Sequence, residues 1–98
     1  MLMEEINEQS NQMQDIINIG NDPVMLTATE VLAKLMIKNE IILKARGQLI
    51  PNAVAVANII TGTMATGVYK IEKIKLDTVA EAGIGNMTST IEIVINKN

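Results

Sequence analysis

Two basic side chains, Lys44 and Arg46, stand two residues apart at the end of an aliphatic stretch, and Gly47 follows them directly. A guanidinium can hold a phosphate through two parallel hydrogen bonds, whereas an ammonium contacts it as a point charge. Residues i and i+2 of a strand lie on one face, so both side chains would leave the strand on the same side. The spacing predicts phosphate contacts on one face of a strand, with Arg46 favoured over Lys44.

Each of these residues also has a purely structural interpretation. Arg46 could pair with a neighbouring carboxylate and fix its loop, and Lys44 could lay its aliphatic stem along the apolar strand. Gly47 could let a phosphate approach the backbone, but such a glycine more often permits a turn with positive φ, and we favour that interpretation. For the two basic side chains the pattern alone leaves both alternatives open.

The elements that must position these residues alternate along the chain. Asp22 is predicted to cap a helix with Pro23 at its first position, and Pro51 is predicted to start a second helix. The predicted elements, in order, are a strand over 15–19, a helix over 23–36, a strand over 40–45, a helix over 51–62, and strands over 68–77 and 88–95.

This order predicts an α+β fold, a two-layer β-α-β-α-β-β sandwich whose four-stranded mixed sheet carries both helices on one face. A change of apolar parity in the third strand predicts a bulge near Glu72. Unless the bulge realigns the strand, Lys70 faces opposite to Lys73 and Lys75. We therefore expect these lysines to form a solvated sheet edge rather than a nucleic-acid-binding stripe.

The composition narrows the functional classes. The 98-residue chain has no cysteine and no histidine, and Tyr69 is its only aromatic residue. Without those side chains or an evident carboxylate pair, we expect neither an enzyme nor a metal or cofactor site. No apolar run approaches the roughly 20 residues of a membrane-spanning helix. The N-terminus carries acids where a signal peptide needs positive charge, so a cytoplasmic protein without membrane contact is expected.

The net charge of −3 is unevenly distributed. Acidic residues crowd the first fifteen positions, where no Lys or Arg occurs, and the remaining chain is close to neutral. We expect residues 1–14 to be an acidic, disordered tail and residues 15–98 to be one domain. A near-neutral domain binds polyanions poorly in general, because that affinity comes mostly from released counterions.

Three segments resemble the Alba family of archaeal chromatin proteins, which bind DNA and RNA. They are residues 19–32 (IGNDPVMLTATEVL), residues 40–58 (EIILKARGQLIPNAVAVAN) and residues 89–95 (STIEIVI). The resemblance implies a nucleoid-associated dimer whose protomer resembles the C-terminal domain of a translation initiation factor. Long hairpins would lie along the nucleic acid, with helix N-termini and the KARG loop at the centre.

Most of the basic residues that the family uses for binding are replaced here. Asn21 and Asp22 replace a lysine pair that precedes PVM in the family. Gln48 replaces the residue after KARG, which is usually basic, and Asn52 replaces a lysine early in the second helix. The resemblance implies a nucleic-acid-binding surface formed by Lys44, Arg46, Gly47, Asn21, Gln48 and Asn52. Neutral amides can still hydrogen-bond phosphate or sugar, so we expect weak, salt-sensitive binding.

Two further expectations concern protein partners. Met64 stands where many family members have a phenylalanine that joins one dimer to the next, although it could equally be a core methionine. The chain could also be an interaction module of a different class, which keeps the fold but has lost nucleic-acid binding. In that case it would pair with a more basic paralogue or cap its filaments.

Overall fold

The computed structural model describes residues 15–80 and 87–98, so the tail prediction for residues 1–14 and most of the hairpin tip lie outside the described residues. The elements are β1 (Asp15–Asn18), α1 (Val24–Lys38), β2 (Glu40–Arg46), α2 (Ile50–Ile59), β3 (Tyr69–Ala80) and β4 (Met87–Lys97). A 3-10 turn over Gly47–Leu49 precedes α2, and a π-type turn over Ile60–Met64 extends it. No helix in the described ranges is long and apolar enough to cross a membrane.

The four strands form one mixed sheet in the order β1-β2-β4-β3. β1 runs parallel to β2, whereas β4 is antiparallel to both of its neighbours. Both helices contribute to the same buried cluster on one face of this sheet. The predicted β-α-β-α-β-β order and the four-stranded sheet with two helices on one face are therefore confirmed.

Apolar side chains alternate along the two central strands, β2 and β4, and this alternation determines which face of the sheet is buried. Ile41, Leu43 and Ala45 of β2 lie opposite Ile95, Ile93 and Ile91 of β4, and all six are buried. Val31 and Leu35 of α1, with Val56 of α2, pack into the same cluster and are fully buried. Burying each large aliphatic side chain contributes about 1.5–3 kcal/mol. Aliphatic packing thus holds the two layers together with hardly any aromatic side chain.

The start of α1 differs from the prediction. Asp22 does not cap the helix: Pro23 occupies the N-cap position with extended backbone angles (φ −55°, ψ 136°), and the cap has no side-chain hydrogen bond. The fixed φ of proline suits this turn, and its carbonyl accepts the Thr27 amide at 3.1 Å. The helix also runs two residues further than predicted, to Lys38. It ends where Asn39 adopts a left-handed φ of 69° and donates its amide to the Leu35 carbonyl.

The bulge predicted near Glu72 is present, because the register of β3 against β4 shifts between Ile71 and Lys73. Lys70, Lys73 and Lys75 consequently lie opposite Asn96, Val94 and Glu92, which are alternate residues of β4. The three lysines therefore share one face of the sheet, which is the outcome expected if the bulge realigns the strand. The extra residue at the bulge restores their alignment.

Candidate nucleic-acid interface

The face of the sheet opposite the helices, here called the open face, collects most of the positive charge. Residues 40, 42, 44 and 46 of β2 and residues 90, 92, 94 and 96 of β4 form its centre. Five of the eight basic residues of the chain lie on it, namely Lys44, Arg46, Lys70, Lys73 and Lys75. Lys44 and Arg46 leave the same side of β2, as their spacing predicted.

Lys44 has an acidic partner on the neighbouring strand. Its Nζ lies 3.6 Å from Oε2 of Glu92, and the two side chains are 42% and 38% exposed. Lys75 lies opposite Glu92 from the other side, so one carboxylate stands between two lysines in a row across three strands. An exposed ion pair of this kind contributes about 0–1 kcal/mol, which means that an arriving phosphate can displace the carboxylate.

Arg46 stands at the exposed end of β2, opposite Thr90. β1 pairs with only residues 41–44 of β2, and one further hydrogen bond, from the Ile19 amide to the Lys44 carbonyl at 2.8 Å, closes that ladder. Beyond this point Ala45 and Arg46 have no neighbour from β1. The early end of β1 opens a cleft beside the last two residues of β2.

This cleft, here called the notch, has a volume of about 420 Å³ and combines basic, acidic, amide and apolar groups. Its lining consists of Asn18, Ile19, Lys44, Ala45, Arg46, Leu49, Thr90, Ile91 and Glu92. The two basic side chains and the hydroxyl of Thr90 can donate hydrogen bonds to an anion, whereas Glu92 disfavours one. The notch can therefore accept a phosphate once the negative charge of Glu92 is neutralised.

Gly47 fixes the direction in which the chain leaves the notch. Its φ is +58°, and the nearest atom to a Cβ built on it would be Cγ2 of Thr88 at 4.0 Å. Space is available, so backbone conformation is what requires glycine here. The prediction of a turn with positive φ is confirmed. This turn leads through Gln48 into α2.

The amide residues predicted at this surface lie in two adjoining loops and in the first turn of α2. Asn21 and Gln48 are exposed, one between β1 and α1 and the other between β2 and α2. Asn52 is half-buried and donates from Nδ2 to the Gly20 carbonyl at 3.4 Å, which joins the first loop to the start of α2. This hydrogen bond gives Asn52 a structural contact, whereas Asn21 and Gln48 lie at the surface, and the predicted nucleic-acid contacts of all three stay predictions.

Met64 is half-buried and packs against the hydrophobic core at the end of the π-type turn. The core interpretation of this residue accounts for that contact. Its predicted role between dimers is untouched by this observation and stays a prediction.

Glu92, Asn18 and Thr90 were missed when the sequence was interpreted. A signal for Glu92 was present, since it alternates with buried Ile91 and Ile93 and must face away from the core, as Lys44 does. The pairing of Lys44 with Glu92 depends on the register of strands far apart in the chain, and no local pattern gives that register. Within the described residues, no group of three acidic side chains is arranged to hold a metal ion.

Similarity to known proteins agrees with this geometry. The family model named Alba matches residues 15–78. The chain is 35% identical over 92 residues to the DNA/RNA-binding protein Alba of Nitrosopumilus maritimus (strain SCM1), covering 91% of this chain and 97% of that protein.

Two solved structures have the same fold. The first is Alba from Thermoplasma volcanium, with a TM-score of 0.73 and 35% identity over 84% of this chain and 99% of the other. The second is ALBA1 from Trypanosoma brucei, with a TM-score of 0.68 and 20% identity over 85% of this chain and 68% of the other. The match to the family model, together with the relatives at 35% identity, shows that this chain belongs to the Alba family.

Proposed function

We propose that this chain binds DNA or RNA through the notch and the adjoining open face, as a weak and strongly salt-dependent binder. The observation that carries the proposal is the placement of Lys44 and Arg46 on one face at the free end of β2, in a member of the Alba family. The relative from Nitrosopumilus maritimus, whose name states DNA/RNA binding, supports the ligand class. The protein would act in the cytoplasm, associated with the nucleoid.

The expected affinity follows from the number of phosphates contacted. Each neutralised phosphate contributes a slope of about −0.9 to log affinity against log salt. In a dimer, Arg46 alone gives a slope of about −1.8, and Arg46 with Lys44 gives about −3.6. The three lysines of β3 lie further along the open face, where Glu72 holds Lys70 at 3.5 Å. Asn21 and Gln48 would add neutral hydrogen bonds, and Gly47 and Asn52 would hold their loops in place.

The proposed assembly is a symmetric dimer whose two protomers contact each other through the outer part of the β3–β4 hairpin. Ile74 and Leu76 continue the parity of the core face of β3, yet they are 53% and 67% exposed because the helices do not reach them. A second copy that covers these side chains would bury them, and it would also double the number of phosphate contacts. Leu76→Asp should therefore shift the protein from dimer to protomer in sedimentation equilibrium.

Val79 provides the matched control for that substitution. It lies on the same strand and is 47% exposed, but it pairs with Thr88 on the open face. Val79→Asp should leave the dimer intact. Equal effects of the two substitutions would contradict an interface on the core side of the hairpin.

Binding is tested by titrating a duplex DNA and a structured RNA at several salt concentrations. Arg46→Ala should reduce affinity and move the slope toward zero by about 1.8 for a dimer. Lys34→Ala is the control, because Lys34 is an exposed cation on α1 and its loss changes net charge equally. Lack of binding at low salt by a folded dimer would overturn the proposal.

A second function, as an interaction module without nucleic-acid binding, is favoured by one specific observation. Glu92 neutralises Lys44, and the chain as a whole carries a net charge of −3. In this case the protein would pair with a more basic paralogue and dilute or cap its assemblies. Mixing with a basic family member and measuring exchange of protomers distinguishes this function, provided that the chain alone fails to bind either nucleic acid.

A further inference from the structure

Helix α1 exposes an apolar surface on the side that faces away from the sheet. Its buried side consists of Thr27, Ala28, Val31 and Leu35. The opposite side, here called the outer face, consists of six exposed uncharged residues, Met25, Leu26, Thr29, Ala33, Met36 and Ile37. A surface helix normally carries polar residues opposite its buried side, so an apolar outer face indicates a contact with another molecule.

Large and small side chains follow a fixed order along the outer face. The four large side chains lie in pairs at its two ends and are all more than half exposed, namely Met25, Leu26, Met36 and Ile37. The two small residues, Thr29 and Ala33, lie between these pairs. The hydroxyl does not make the middle polar, because Thr29 Oγ1 donates to the Met25 carbonyl at 3.0 Å. The outer face is therefore apolar along its length and shallow at its centre.

This order of sizes makes the outer face complementary to an antiparallel copy of itself. In a pair of helices whose two-fold axis passes level with Leu32, Ala33 of each helix lies between Thr29 and Ala33 of the second copy. Ile37 lies between Leu26 and Thr29 of the second copy. Each large end thus meets the opposite end of the other helix, and the small centres let the two helix axes approach to about 8 Å.

The charges beside the outer face select the same arrangement. Glu30, Lys34 and Lys38 are exposed and follow each other at spacings of four residues, so they form one row on one flank. An antiparallel pair brings this flank of both helices to one side, whereas a parallel pair places the flanks on opposite sides. With the axis level with Leu32, Glu30 of each helix lies level with Lys34 of the second copy. The register that fits the side-chain sizes therefore also forms two ion pairs.

We propose that a second copy of this chain covers the outer face, through antiparallel pairing of the two α1 helices about a two-fold axis level with Leu32. The 15 residues of α1 span about 22 Å, and a strip about 10 Å wide along them has an area of about 220 Å². Stable complexes bury about 800 Å² per partner, so this contact forms only at high protein concentration. The proposal goes beyond nucleic-acid binding, since neither the notch nor Met64 takes part in the contact.

The chain has no cysteine, so single introduced cysteines report directly on this contact. Ala33 lies one residue from the proposed axis, which places the two Ala33 Cα atoms about 5 Å apart, within the range of a disulfide. Ile37 lies on the same face but five residues from the axis, so its two copies are about 15 Å apart along the helices. A parallel pair would instead bring the two copies of Ile37 together.

Ala33→Cys should therefore form an intermolecular disulfide under oxidised glutathione at least about tenfold faster than Ile37→Cys at the same concentration. A mixture of Leu26→Cys and Ile37→Cys chains should link faster than either variant alone, because the antiparallel register brings these two positions level. All three positions are exposed, so the substitutions leave the buried cluster unchanged. Equal rates for Ala33→Cys and Ile37→Cys, or a faster rate for Ile37→Cys, would overturn the proposal.

A charge exchange tests the two ion pairs in the Ala33→Cys background. Lys34→Glu places two carboxylates level with each other and should slow disulfide formation several-fold, and Glu30→Lys added to it should restore the original rate. Lys73→Glu is the matched control, because it changes net charge equally on the open face, and it should leave the rate unchanged. Slowing by Lys73→Glu as large as that by Lys34→Glu, or failure of the double exchange to restore the rate, would refute the pairing of Glu30 with Lys34.

Discussion

Replacing Glu92 by glutamine should strengthen nucleic-acid binding, because in the proposed binding mode Glu92 competes with phosphate for Lys44. The two charged groups lie 3.6 Å apart, and the side chains are 42% and 38% exposed. At that separation two unit charges attract by about 1 kcal/mol in water, and exposed pairs measure about 0.2–1 kcal/mol. Glutamine keeps the shape of the side chain and its place on β4 but removes the charge.

The gain can be estimated from the same geometry. If each protomer recovers about 0.5–1 kcal/mol, a dimer gains about 1–2 kcal/mol, which corresponds to about 5–30-fold tighter binding. The salt slope should change at the same time, from about −1.8 toward about −3.6, because Lys44 then neutralises a phosphate in each protomer. Fluorescence titration of a labelled duplex over a series of salt concentrations measures both quantities.

Glu72→Gln is the matched control, because it removes the same charge and releases Lys70 from a pair of similar length, 3.5 Å, on the outer strand. It should change affinity by less than about twofold if the notch is where phosphate is held. An unchanged slope for Glu92→Gln would refute the role of Lys44 in phosphate contact. Equal strengthening by both variants would show that net charge alone decides affinity.

Three further predictions concern the framework of the notch. Gly47→Ala should lower the free energy of unfolding, measured by urea denaturation, by about 1–2 kcal/mol because φ is +58°. Gly62→Ala is the control, because its φ is not positive and a Cβ there meets nothing within 4 Å. It should be neutral or slightly stabilising in the same measurement. Ile93→Ala, at a fully buried position of β4, should cost about 2–5 kcal/mol by the same measurement. Asn52→Ala removes the long hydrogen bond to the Gly20 carbonyl and should cost about 0.5–1.5 kcal/mol, with weaker DNA binding because the first loop loses its support.

The order of elements could be predicted from the sequence, because the alternation of aliphatic residues decides which face of each strand is buried. Ile91, Ile93 and Ile95 alternate with Thr90, Glu92 and Val94, and the structure buries the three isoleucines and leaves the other three half-buried. The change in apolar alternation near Glu72 likewise predicted the bulge, which the structure contains. The effect of the bulge on Lys70 could not be derived in advance, since it depends on whether the extra residue is absorbed within β3 or shifts the whole register.

The start of α1 shows a different limit. Asp22 has the side chain of a helix cap, and its position before Pro23 is the usual signature of a helix start. In the structure the turn at Pro23 itself provides the transition, and the helix begins one residue later, at Val24. Capping depends on backbone angles set by the packing of the neighbouring loop, and a sequence pattern does not contain them.

The fold and the binding surface of this protein respond to different parts of the sequence. Buried aliphatic residues, the φ of Gly47 and the early end of β1 create the notch, and none of them requires a basic residue nearby. Charge on the open face can therefore change without loss of the fold. The row of Lys44, Glu92 and Lys75 then sets the net charge that a phosphate would meet, because one carboxylate between two ammonium groups leaves a single positive charge. In this protein, affinity should follow the net charge of each row at the notch rather than the number of lysines and arginines in the chain.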